Sequence, residues 1–159
     1  MRRQGRAIGE DTPPQELHEL RIQGKKLRYL LELFRSLQEP AEYARQHAAL
    51  KRLQSVLGDY NDCAVQEEAL ARFATELRER EDVPTETLLA MGRLAERIAL
   101  RAVQLRTRFA QLFAEYDAPE QRRGLKRLLE ALAEGPADGP ADDAAEDPAK
   151  DPIEDGANA

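Results

Sequence analysis

TETLLAMGRLAERIALRAVQLRTRFAQLFAEY, residues Thr85–Tyr116, is the stretch whose pattern decides the fold. Its apolar residues Met91, Ala95, Ile98, Ala102, Leu105, Phe109, Leu112 and Tyr116 alternate steps of four and three, the period of a long amphipathic helix. Such a seam is either bundle core, the preferred reading, or the contact line of a coiled-coil dimer, because both pack knobs into holes. The same period recurs upstream. Pro13-Pro14 opens a helix from Gln15 to about Leu37, marked by Leu17, Leu20, Leu27, Leu31 and Phe34, and Pro40 ends it. A second helix is expected over about Ala41–Leu57, with Leu50, Leu53, Val56 and Leu57 on one face. Gly58-Asp59-Tyr60-Asn61-Asp62 then reads as a tight turn: Gly58 supplies a helix-closing residue, and Asp59 or Asn61 caps a third helix running to about Glu81. A short last helix, about Glu120–Ala133, carries Leu125, Leu128, Leu129 and Leu132 and stops before Gly135-Pro136. No strand is needed, so the expected fold is all-α, an antiparallel bundle of about four long helices plus a short C-terminal one.

Composition agrees with that class. The chain has 159 residues, 34% of them charged, no Trp and only eight Phe or Tyr, which argues against a β-sandwich or barrel. No apolar run approaches the roughly 20 residues of a membrane span, and MRRQGRAIGEDTPP lacks the apolar core of a secretory leader. With Cys63 as the only cysteine, neither an intrachain disulfide nor a CxxC metal knuckle can form, and a cytoplasmic place is expected. Residues 1–14 are expected to be a flexible lead-in, 15–134 the bundle, and 135–159 a disordered tail. That tail holds eight acids against Lys150, a local charge of −7, so the net −6 of the whole chain leaves +1 for residues 1–134. A tethered polyanion of this kind could compete with an anionic ligand for a basic site.

The arrangement of the bases matters more than their sum. At 100° per residue His18, Arg21, Lys25 and Arg28 share an arc of roughly 80° beside the leucine face of their helix. His47, Lys51 and Gln54 repeat the arrangement on the next helix, and Arg93, Arg97, Arg101 and Arg108 flank the seam of the longest one. No acid stands four residues before or after any of those four arginines. Like charges four apart repel by a few tenths of a kcal/mol, so such rows gain stability from an anion or an opposing acidic face. Mixed guanidinium, ammonium and imidazole groups suit a phosphate-rich ligand.

LHELRIQGKKLRYLLELF (residues 17–34) followed by LKRLQSVLGDYNDCAV (50–65) resembles the conserved histidine α-helical domain, CHAD. The resemblance implies an all-helical fold of two similar bundles around a basic channel for inorganic polyphosphate, often associated with triphosphate-tunnel enzymes. It assigns His18, Arg21, Lys25, Arg28 and Lys51 to the channel wall, and Gly58, Asn61 and Asp62 to a structural turn. Arg97, Arg101 and Arg108 join the binding set through their stripe. Polyphosphate granules are the place of action it implies. The His-basic helix occurs once here instead of twice, and the resemblance, over about residues 15–132, is to the C-terminal half of such a domain. A homodimer, or pairing with a separate N-terminal half, would rebuild the channel.

The function expected from sequence is therefore non-catalytic binding of inorganic polyphosphate, with no cofactor, no metal and no membrane partner. Nucleic acid is not expected, because exposed aromatic stacking platforms are scarce and Tyr29 reads as groove-lining or core. Two alternatives stay open: a helical module for an acidic protein partner, and an accessory domain of a phosphohydrolase. Catalysis by this chain is not expected, since no HExxH, P-loop, nucleophile elbow or Glu-x-x-His ligand set is present. His18, set among cations, is expected to bind phosphate with a dependence on pH near neutrality.

Overall fold

Five α-helices account for most of the chain: α1 (Arg2–Ala7), α2 (Pro14–Leu33), α3 (Pro40–Arg78), α4 (Thr85–Tyr116) and α5 (Pro119–Glu134), with a 3-10 turn at Arg35–Leu37. They are seen in a computed structural model that describes residues 1–80 and 82–134. The expected acidic tail, 135–159, lies outside the described residues. Among the described residues there is no strand, and no helix is long and apolar enough to cross a membrane.

Local chemistry sets the helix ends. Pro14 occupies the first turn of α2, where its missing N–H costs nothing. The Gln38 amide donates to the carbonyls of Leu31 and Phe34, both at 3.0 Å, and satisfies acceptors left open at the end of α2. Glu39 caps α3, its carboxylate accepting from Ala41 N (3.0 Å) and Glu42 N (2.7 Å).

The largest departure from the sequence reading is α3. Gly58, Asn61 and Asp62 do not form a turn; they lie inside one 39-residue helix that replaces the two expected ones. Leu50, Leu53, Leu57 and Tyr60 continue a single buried stripe through the glycine. Burial of such side chains, at about 1.5–3 kcal/mol each, outweighs the roughly 1 kcal/mol that an interior glycine costs. Residues 1–14 are likewise not simply a lead-in. Residues 2–7 form α1, whose buried Gly5 lies beneath Phe113 so closely that a Cβ would fall 2.1 Å from the ring. Arg2 and Arg6 reach Asp117 at 3.4 and 2.7 Å. Arg106 fastens the following loop through the carbonyls of Gly9 and Thr12, and also donates to Tyr60 Oη at 2.6 Å.

Helix α3 is the axis of the molecule, packing chiefly against α2 and α4 and also against α5. The core gathers Leu17, Leu20 and Leu31 from α2, Leu50, Leu53, Leu57 and Tyr60 from α3, Phe109, Leu112, Phe113 and Tyr116 from α4, and Leu125 and Leu128 from α5. The seam of α4 thus serves as bundle core from Ile98 to Tyr116, but Ala95 is exposed and Met91 only half-buried. Among the described residues none between Cys63 and Ile98 is buried. There the two long helices run on past the start of α2 as a bare hairpin.

Candidate functional site

Three contacts fix how α2 lies on α3. His18 Nδ1 is 2.6 Å from Asn61 Oδ1; the amide oxygen can only accept, so the imidazole donates from Nδ1. A methyl group in place of the Gly58 hydrogen would lie 3.9 Å from Arg21 Nε. His47 Nε2 meets Glu32 Oε1 at 2.8 Å. All three pairs obey one antiparallel register, which sets Lys25 level with Gln54 and Arg28 level with Lys51. The basic arc of α2 therefore runs beside the strip of α3 that carries Lys51, Gln54 and Gly58. On the other flank of α3, Arg52 reaches Glu115 of α4 at 3.7 Å, and Tyr60 reaches Arg106. That register sets Arg108 level with Gly58, and Arg101 near Cys63, where α2 begins. Arg93 and Arg97 lie further out, on the hairpin, away from the α2 cations.

Pairing divides the expected set. Arg28 is held by Glu32 at 3.1 Å, and the same carboxylate takes His47, which stacks on Tyr43 with ring centroids 5.4 Å apart. Arg28 thus begins with an internal counter-ion, and His47 with a hydrogen-bond partner. Arg21, Lys25, Lys51, Arg97, Arg101 and Arg108 have no carboxylate within salt-bridge distance among the described residues; Arg108 reaches only the amide oxygen of Gln111, at 3.4 Å. Around α1 and α5 the pattern is the reverse. There Arg2, Arg6, Arg45 and Arg127 each hold an acid.

Acids also stand along the basic strip, from Asp59 beside Gly58 at its middle to Asp62 and Glu67 toward the start of α2. Burial pushes the Cys63 thiol up, and Asp59, Asp62 and Glu67 push it further, against the pull of Arg101. His18 borders a cavity of 580 Å³ whose wall includes Asn61, Val65, Glu67 and Glu68, so its surroundings hold carboxylates as well as the expected cations. Tyr29 is not core: it is 54% exposed, with the Arg28 guanidinium 4.9 Å from its ring centre.

Sequence reasoning missed two participants. Asn61, read as turn, orients His18. Glu32, not singled out by the sequence pattern, stands in the same arc as the α2 cations and neutralises its end. Its place four residues after Arg28 was the signal for it.

The described region is an all-helical bundle with a row of unpaired cations along its central helix. Residues 1–71, which span α1, α2 and most of α3, match the family model described as CHAD domain. The CHAD family is associated with polyphosphate binding. Among curated proteins and among solved structures nothing matches.

Proposed function

We propose that this chain binds inorganic polyphosphate, without catalysis, along the strip of α3 between the α2 and α4 cations. The observation that carries the reading is that, among the described residues, Arg21, Lys25, Lys51, Arg101 and Arg108 have no carboxylate within salt-bridge distance. Bringing like charges together costs energy in the empty protein, and an anion of high charge density recovers it. Gly58 leaves the middle of the strip without a side chain, so a linear ligand can approach the helix backbone between Arg21 and Arg108. Arg28 contributes less, because Glu32 must first release it. Arg97, out on the hairpin, serves long chains only.

Titration with polyphosphates of defined length tests this. The Arg21→Ala/Lys25→Ala/Lys51→Ala variant should lose at least about 100-fold in affinity, since each charge-assisted contact is worth about 1–3 kcal/mol. Arg28→Ala should lose less than any one of those three changes alone. Undiminished binding by the triple variant, or equal affinity for an acidic peptide of matched charge, would overturn the assignment.

A further inference from the structure

A second surface lies on another face of α4. Leu88, Leu89, Gly92, Ala99, Val103 and Ala110 fall within an arc of roughly 100°, and all are exposed. The arc is distinct from the one that carries Arg93, Arg97, Arg101 and Arg108. It extends about 33 Å along the helix. Between its ends the residues are small, which lets another helix come close, and Glu96 and Arg106 are the only charged groups within it. The two ends differ in shape. Leu88 and Leu89 project at one, 52% and 56% exposed. At the other, Val103, Arg106, Thr107, Phe109 and Ala110 join Ile8, Gly9 and Glu10 around a cavity of 480 Å³.

We infer that this face pairs with the same face of a second copy, antiparallel about a two-fold axis at Ala99. Leu88 and Leu89 stand eleven and ten residues before Ala99, and the α4 wall of the hollow runs from four to eleven residues after it, so the two-fold puts Leu88 and Leu89 of each copy at the far edge of the hollow, beside Phe109 and Ala110 of the other. Gly92 then faces Arg106 across the axis, which brings Glu96 within about one turn of that arginine. The two charged residues of the α4 arc thus stand near each other with opposite sign, although Arg106 already holds the Gly9 and Thr12 carbonyls and Glu10 also borders the hollow. A two-fold contact of this kind is closed and uses one patch twice. A strip of this length, with its hollow, covers on the order of 600 Å² per copy, the lower limit for a specific interface, so a micromolar dimer is expected. The pairing also gives the hairpin beyond Cys63 the partner that α2 and α5 provide to the rest of α3 and α4.

Sedimentation of the full chain without polyphosphate, up to about 100 µM, together with cysteine cross-linking, tests the inference. Small residues let the axes approach to about 8 Å, which brings facing Cα atoms within the roughly 4.4–6.8 Å reach of a disulfide. Ala99→Cys should therefore form a copy-to-copy disulfide under mild oxidation. Gln104→Cys, exposed on a different face of α4, should not, nor should the unaltered chain, whose Cys63 is buried. Ala99→Arg and Val103→Glu should shift self-association at least tenfold to higher concentration while the far-ultraviolet circular dichroism stays unchanged. A chain that is monomeric throughout, or equal cross-linking through residues 99 and 104, would overturn the pairing.

Discussion

Gly58→Ala separates the two ways of reading LGDYND. If the glycine closed one helix and turned the chain, it would need a left-handed backbone, and alanine there would cost about 1 kcal/mol or more. In the structure Gly58 is helical, lies near the middle of α3, and has only Arg21 Nε within 4 Å of an added methyl, at the ordinary contact distance of 3.9 Å. Nothing has to move. The substitution should therefore recover the difference in helix propensity, about 0.8–1.0 kcal/mol in favour of alanine. For a folded region of this size that corresponds to a rise in Tm of roughly 3–5 °C. Urea unfolding followed by circular dichroism should show a higher midpoint with an unchanged slope. A midpoint lowered by the equivalent of about 1 kcal/mol would refute the continuous helix, and with it the register that aligns Arg21, Gly58 and Arg108.

Gly124→Ala should act in the opposite sense. Its Cβ would lie 1.9 Å from Glu42 Oε1 and 2.7 Å from Gln46 Nε2, so the buried carboxylate must leave Arg127 and Gln46. A loss of about 2–4 kcal/mol by denaturant melting is expected. Acid should unfold the protein through Glu42 and Asp117. Burial raises the Glu42 pKa, but hydrogen bonds from Gln46, Arg127 and Arg45 outweigh it, and the Arg6 hydrogen bond lowers that of Asp117, so both lie below the usual carboxylate range. Their stabilisation is complete above that range, near pH 4, and is lost as pH falls through the lowered values; Glu42→Gln should flatten the acid limb of the stability–pH curve. Polyphosphate affinity should fall with salt at a log–log slope near about −4 for five contacts, and the Arg21/Lys25/Lys51 triple variant should reduce this to roughly −1.5, measured by titration at several ionic strengths.

Much of the architecture was legible because one period governs it. The steps of Leu17, Leu20, Leu27 and Leu31, and of Ile98 through Tyr116, place those residues inward, and the structure buries all of them but Leu27, Ala102 and Leu105, which are half-buried. The missed elements share a cause, since local propensity was given weight over tertiary burial. Gly58 with three Asp or Asn neighbours has strong turn chemistry, yet Tyr60 extends the Leu50–Leu53–Leu57 stripe by another step and was the counter-signal. The α1 helix could not be foreseen from RRQGRA, whose helical state depends on Phe113 and Asp117, more than 100 residues away. At the candidate site the wheel correctly grouped His18, Arg21, Lys25 and Arg28 on one side of α2. It could not tell which of them had an internal acid, because His47 and Arg28 share Glu32 only once α2 lies on α3.

An uninterrupted α3 also quantises how the hairpin can change in length. Each added residue rotates the distal part of the helix by 100° and advances it 1.5 Å. A single insertion beyond Cys63 would therefore swing the distal surface out of phase with the basic strip and out of step with α4. Seven residues added to α3 and seven to α4 restore the phase to within about 20° and lengthen the hairpin by about 10 Å. Functional variants with longer or shorter hairpins should differ by paired heptads, with any other increment absorbed in the connection between α3 and α4.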